Sequence, residues 1–393
     1  MKIAMVFDGL DVGGVGKVGI NYSDILLSHG HQLTIINLNP KKNAMQTNFN
    51  DKCKFINFHL SQLVVPEKYE QLIKQKWWGK YICPFIYVIL RIAIFFFKLI
   101  FTLKYKSLRY DAVVAFSGHF NDLSFICNDF LKGRKKICWL HGALYQYALI
   151  SNGYLALYNK IKNLVVLVDD VQDDVLAYNS FLNLNITKIY NPIPDQKFIS
   201  SDEKVKLLQE KYGKFILMVA RFSYPHKDQY TVINAFKKLI IDNKEDLSLL
   251  FVGDGPELSK VKLYIKNLPS KVQDNIYFVG NKKDVADYYQ AAYLLVHSSV
   301  FGEGLPTVIL EAMVNGCPVV ATDSKVGPKE IIGDNKYGLL CPVKDPVKMA
   351  DCIEKLCKDD KLYEYYCNMG KKRVIDFSPS AIYIKIMKVL NRD

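Results

Sequence analysis

Two glutamates eight residues apart, Glu303 and Glu311, stand in the stretch FGEGLPTVILEAMVNGCPVVATD at 301–323. The spacing places a turn of Gly304, Leu305 and Pro306 between them and starts a helix near Thr307. Free N–H groups and the positive dipole end of such a helix suit a diphosphate. Glu303, just ahead of the helix, can accept from sugar hydroxyls. Glu311, about a turn inside, can hold a ribose diol. Read as ordinary helix surface, the same pair would do neither.

A second group of residues follows other apolar runs. In GGVGKVG, Gly14, Gly16 and Gly19 fit G-x-G-x-x-G at the start of a helix, which offers backbone N–H groups to an anion or simply makes a tight turn. A dinucleotide site would want an acid at the end of the next strand, whereas LTIINLN ends in Asn37 and Asn39. A phosphate-binding P-loop fails as well, because Lys17 is followed by Val18. His141 follows KICWL, and His119, in FSGHF, ends another strand where it can touch an acceptor. Asn281, after IYFVG, joins the donor side. No D-x-D occurs to bridge a divalent cation to a diphosphate, so neither a metal nor a cofactor is expected.

The elements that must position these residues alternate. KIAMVFD, LTIINLN, CKFINF, AVVAFS, KICWLHG, LVVLV and TKIYNPI form a first strand series. FILMVAR, LSLLFVGDG, IYFVG, YLLVHSS, CPVVATD and GLLCPV form a second, with helices such as DQYTVINAFKKLI between. That alternation predicts two doubly wound α/β domains, at 1–195 and 196–372, with a C-terminal helix in 373–393 returning to the first. Ligands of such sheets bind beyond the carboxyl ends of the strands, where every motif above falls. Two such domains facing each other would enclose one cleft.

Taken jointly, GGVG, WLHG at 139–142, IYNPI at 189–193, VARFSYPHKD at 219–228, VGDGP at 252–256 and the 301–323 block resemble the retaining nucleotide-sugar glycosyltransferases of family four. The resemblance implies the GT-B fold and a sugar moved from a nucleoside diphosphate, UDP in the first instance, carrying a hexose or N-acetylhexosamine. It implies that Arg221 and Lys227 bind the donor diphosphate, in agreement with the charge that develops on the leaving group. The family spaces that pair as R-x(4)-K; here it is R-x(5)-K. It also places His141 near the reacting sugar carbon, and suggests a glycan on a polyprenyl diphosphate as acceptor, in bacterial cell-surface polysaccharide, lipopolysaccharide or capsule assembly. An epimerase or hydrolase on the same fold is the alternative.

The formal charge is +13 from 52 basic and 39 acidic residues, so a negative partner is expected. Lys68–Arg109 holds nine basic residues and one acid, Glu70, around the apolar run FIYVILRIAIFFFKLIF at 85–101. Those 17 residues fall short of the ~20 a spanning helix needs, and Arg91 would sit at mid-bilayer. A helix in the plane of an anionic membrane fits instead, with Arg91 and Lys98 on one stripe and Trp77, Trp78, Lys80, Lys104 and Lys106 as interfacial anchors. The competing reading is a packed hairpin with both cations reaching to water. Nucleic acid is not indicated, since aliphatic residues accompany the charge in place of interleaved aromatics. Nine cysteines without zinc spacing and an N-terminus without a secretory pattern lead to the expectation of a cytoplasmic protein. The basic apolar segment 77–109, together with the resemblance, adds the expectation of a peripheral position at the inner membrane face.

Overall fold

The computed structural model describes all residues except 12–13, 106–107, 142–151, 179–181, 194–199, 243–245, 283, 301–303, 325–326 and 392–393. Glu303, Lys106 and Gly142 therefore lie outside the described residues. The chain divides into two compact units, Met1–Pro192 with Pro379–Asp393 and Ile193–Ser378.

The first unit is built on a seven-stranded parallel sheet in the order β3-β2-β1-β4-β5-β6-β7. Its strands are β1 (Lys2–Phe7), β2 (Gln32–Asn37), β3 (Lys54–Asn57), β4 (Arg109–Ala115), β5 (Lys132–Leu140), β6 (Asn163–Val166) and β7 (Asn185–Lys188). The second unit holds a six-stranded sheet, β10-β9-β8-β11-β12-β13, made of β8 (Phe215–Val219), β9 (Ser248–Val252), β10 (Ile276–Gly280), β11 (Leu294–His297), β12 (Val319–Thr322) and β13 (Leu339–Cys341). The central strands are almost wholly apolar and buried, as sheets covered on both faces require. In each sheet the order reverses once, between β1 and β4 and between β8 and β11. Those two switch points are where an open α/β sheet leaves a crevice.

Five helices bear on function: α1 (Gly14–Ser28), α2 (Gly79–Tyr105), α3 (Phe120–Cys127), α4 (Gln229–Ile241) and α5 (Thr307–Val314). The C-terminal helix Pro379–Asn391 packs on the first unit. Its Ile386, Val389 and Leu390 line one small cavity with Ile3, Met5 and Leu26, the His29 ring stacks on Tyr383 at 3.6 Å, and Lys135 Nζ donates to the carbonyl of Val389 at 3.0 Å. The chain crosses back later than residue 373 because Asp360–Val374 is one continuous helix. Arg373 fastens its end by donating to the carbonyls of Ile331 and Glu330 at 3.0 and 2.6 Å. The strand expected at TKIYNPI is shifted, since the paired residues are Asn185–Lys188.

The apolar segment also differs from expectation. Helix α2 has 27 residues and incorporates Pro84, where the sequence suggested a run starting at 85. By length and composition it is long and apolar enough to cross a membrane, so brevity is no ground against a span. Contacts at both ends tie it to the first unit: Cys83 Sγ donates to the Tyr69 carbonyl, and Phe101 packs edge-on against Phe58 and Phe125. Tyr105 donates to the Asn57 carbonyl at 3.2 Å. Arg91 is neither a snorkelling nor a headgroup cation. Its guanidinium donates to buried Glu67 at 2.7 Å, to Asn128 at 2.8 Å and to Tyr87 at 2.6 Å.

Removing one partner of a buried ion pair strands the other charge. Arg91→Ala is therefore expected to lower stability by about 3 kcal/mol, read as a shifted urea midpoint, and the double change Arg91→Met with Glu67→Leu should recover most of that loss.

Candidate active site

In the second unit, β8 ends at Val219 and the chain turns at once through Arg221. Phe222 pins this turn: its N–H donates to Asp254 and its carbonyl accepts from Glu257, while its ring packs on Phe251 and Phe278. The close approach explains the glycines of VGDGP. A Cβ on Gly253, at φ +142°, would lie 2.1 Å from the Ala220 carbonyl oxygen, an approach that glycine alone permits. Between Arg221 and Lys227 the chain makes a turn closed by the Lys227 N–H donating to the Ser223 carbonyl at 3.0 Å. Asp228 then caps α4, accepting from the N–H of Thr231 at 3.1 Å and from its hydroxyl at 2.6 Å.

The result is a cavity of about 480 Å³ lined by Arg221, Lys227, Asp254, Asn281, Lys282 and Val308, with the ends of β8 and β9 as its floor. Arg221 and Asn281 are exposed and Lys227 half-buried. Three cations thus converge at a switch point beside the first turn of α5, whose leading N–H groups have no partner within the helix. Pro306 precedes α5 directly, so the helix starts at Thr307 as the spacing predicts. Gly304 and Thr307 are exposed, while Leu305 and Pro306 are buried. Gly327, at φ +100°, allows the loops to meet, since a Cβ there would fall 1.8 Å from the Gly304 carbonyl oxygen. Glu311 sits a turn further along, half-buried, its Oε2 accepting from Tyr289 at 2.9 Å. Under the cavity, burial and then the Lys227 charge hold His297 well below its ordinary pKa.

In the first unit the glycines of GGVGKVG serve packing. A Cβ on Gly16 would meet Met45 Sδ at 2.8 Å and one on Gly19 the Phe7 ring at 2.7 Å, while Gly14 stands in open space. Asn37, which occupies the end of β2, is a loop anchor: it donates to the Lys42 carbonyl at 3.0 Å and accepts from the Asn39 N–H at 2.9 Å.

The residues that sequence reasoning missed lie at the β1/β4 switch point. Asp8, just past β1, accepts from Gln62 at 2.6 Å, from Asn121 and from His119 Nδ1 at 3.2 Å. Its own N–H donates to Ser117 at 3.0 Å. Buried Asp122 accepts from the N–H groups of Ser117, Gly118 and His119 at 2.7–2.9 Å, and burial pushes its pKa up to about 7. Burial works to lower the His119 pKa, but the bond to Asp8 and the charges of Asp122 and Asp8 outweigh it, so the value is raised. His141, at the end of β5, packs its ring 4.9 Å from Phe116. Burial lowers its pKa to about 4, and its Nε2 has no partner among the described residues. Among those residues, no group of three or more His, Cys, Asp or Glu could hold a metal ion.

His141 is neutral in the folded state and takes a proton near its ordinary 6.5 once unfolded. Below that value the unfolded chain binds the extra proton, so stability falls as pH drops from about 6.5 towards about 4, by at most about 1.4 kcal/mol per pH unit. Urea unfolding across this window should show a shallower fall in His141→Gln than in the wild type.

Residues 200–373 match the family model described as glycosyl transferases group 1. A Campylobacter jejuni N-acetylgalactosamine-N,N'-diacetylbacillosaminyl-diphospho-undecaprenol 4-alpha-N-acetylgalactosaminyltransferase is 31% identical over 177 residues, 45% of this chain and 46% of that protein. The chain thus spans about half the length of the first curated relatives it matches. The amylovoran biosynthesis glycosyltransferase AmsD of Erwinia amylovora is 22% identical over 99% of both chains. Among solved structures, Anabaena Alr3699/HepE in complex with UDP superimposes with a TM-score of 0.74 at 18% identity, covering 99% of each chain. Residues 200–373 are thus similar to the group 1 glycosyl transferases, and the chain as a whole shares its fold of two Rossmann-like α/β domains with the Anabaena structure.

Proposed function

We propose that the protein is a retaining, metal-independent glycosyltransferase. It moves a hexose or N-acetylhexosamine from a UDP sugar to a hydroxyl of a glycan carried on a polyprenyl diphosphate, at the cytoplasmic face of a membrane. The observation that carries the reading is the convergence of Arg221, Lys227, Asn281 and the first turn of α5 on one cavity at the β8/β11 switch point. UDP in the Anabaena neighbour and the undecaprenyl diphosphate in the name of the Campylobacter relative support the choice of donor and acceptor.

In this reading Arg221, Lys227 and the α5 dipole hold the diphosphate and gain strength as its charge grows. Asn281 and Glu311 hold the nucleoside, Glu311 being fixed for the ribose by Tyr289. Glu303 holds hydroxyls of the transferred sugar, and His141, neutral at pH 7, serves near the reacting carbon. The bond from C1 to the diphosphate oxygen breaks and that from the acceptor oxygen to C1 forms on the same face. The acceptor proton passes to the diphosphate oxygen.

A UDP-sugar panel assayed with a short-chain prenyl diphosphate carrying an N-acetylhexosamine tests this. Turnover should persist in EDTA, and product NMR should show an α-linkage from an α-donor. Arg221→Ala should cost about 10- to 100-fold in kcat, whereas Glu311→Ala should chiefly raise the donor KM. Activity restored only by magnesium or manganese, or a β-linked product, would refute the mechanism.

Helix α2 supports the membrane location. Tied along one stripe to the first unit, it turns Ile82, Phe85, Ile89, Ile92, Phe96, Leu99 and Leu103 outward, with Phe85 72% and Leu103 74% exposed. Basic residues flank this face, and each contributes about 1 kcal/mol at an anionic surface. Co-sedimentation with vesicles should rise with their anionic lipid content and collapse in Phe85→Glu with Phe96→Glu. Equal sedimentation of this variant and the wild type would remove α2 from the account.

A further inference from the structure

Arg221 lines the cavity from an exposed position, and among the described residues its guanidinium has no hydrogen-bond or ion-pair partner. Its aim is therefore set by the backbone that carries it. Bonds on both sides hold that backbone. The Ala220 N–H donates to the Val252 carbonyl and the Phe222 N–H to the Asp254 carbonyl, each at 3.0 Å, while the Phe222 carbonyl accepts from the Glu257 N–H at 3.1 Å. A side chain supplies the bond between them: Gln229 Nε2 donates to the Arg221 carbonyl at 3.1 Å.

Gln229 is wholly buried. It is the first residue of α4, eight positions beyond Arg221, so its amide closes the stretch of chain that carries both Arg221 and Lys227. The far side of this stretch is fastened to the end of β11, where the Asp228 N–H donates to the Ser298 carbonyl at 3.0 Å and the Val300 N–H to the Pro225 carbonyl at 3.2 Å. The other half of the amide gains nothing, since Oε1 is buried with no partner among the described residues. A buried acceptor left unpaired disfavours the fold, and the buried residues that follow on α4 include Val232, Ile233 and Phe236. For stability alone, an apolar side chain of the same length would serve this position better. Such a conflict between local stability and residue choice is expected where a residue answers to function.

We infer that Gln229 is the positioning residue of the donor cavity: its amide clasps the Arg221 carbonyl and so fixes the separation of the two cations, Arg221 and Lys227, that grip the diphosphate. Gln229 is not among the residues lining the cavity, and it acts through Arg221. The inference rests on the donor reading of those cations and adds to it the group that spaces them. Glutamine suits the task because the clasp needs an N–H donor at that reach. Methionine has the length without the donor, asparagine falls a methylene short, and glutamate would set a carboxylate against the carbonyl.

The test uses the full chain with UDP and with uridine, which lacks the diphosphate. Gln229→Met should weaken UDP binding about fivefold to tenfold, the range of one hydrogen bond, and leave uridine binding unchanged, because the cations meet the diphosphate alone. Its urea midpoint should equal or exceed that of the wild type. In an Arg221→Ala background the same change should cost no more than about twofold in UDP affinity, since the residue it aims is gone. Hydrogen–deuterium exchange without ligand should quicken at 219–223 in Gln229→Met. Gln229→Leu repeats each measurement should the Met variant fail to fold. Undiminished UDP affinity in Gln229→Met beside a loss in Arg221→Ala would overturn the inference and leave the donor reading in place. Equal losses for UDP and uridine, or an undiminished effect in the Arg221→Ala background, would overturn it too. Quickened exchange at 219–223 together with wild-type UDP affinity in Arg221→Ala would keep the clasp and sink the donor reading of Arg221.

Discussion

Each sheet of this protein is organised by the same constraint. At β1/β4 and again at β8/β11, neighbouring parallel strands send the chain away to opposite sides, so no crossover fills the space beyond their ends. What stands there must be held by its own short-range contacts. In the second unit the anchors are Phe222 on Asp254 and Glu257, the capped start of α4 and the buried Leu305–Pro306 turn. In the first they are the Asp122 cradle and the Gln62–Asn121 grip on Asp8.

The charge of the two crevices differs in kind. Arg221, Lys227 and Lys282 gather around one cavity, which suits a ligand whose negative charge grows during reaction. Asp8, His119 and Asp122 form a network in which each partner offsets another.

Residues whose partners are close in sequence were legible before any coordinates. The helix start at Thr307 follows from Gly304, Leu305 and Pro306, and Arg221 follows from the strand that ends beside it. The Lys227 N–H closes a turn on the Ser223 carbonyl, and Lys227 lines the same cavity as Arg221. Partners far apart in sequence were not legible. Nothing in FSGHF says that His119 meets Asp8, and nothing in the apolar run says that Arg91 meets Glu67 and Asn128. Pro84, in the second turn of a long helix, costs one hydrogen bond without ending it, so the helix begins ahead of the run at 85–101. The glycines near α1 matched an anion-binding pattern, yet the Gly16 and Gly19 positions answer to Met45 and Phe7.

The central claim is that a nucleoside diphosphate is held at the β8/β11 switch point by residues of the second unit. Hydrogen–deuterium exchange with and without UDP tests it most directly. The account predicts slowed exchange in 219–228, 252–256 and 304–311, with the core of the seven-stranded sheet unchanged. Protection confined to the first unit, or absent from the 219–228 turn at saturating UDP, would contradict it.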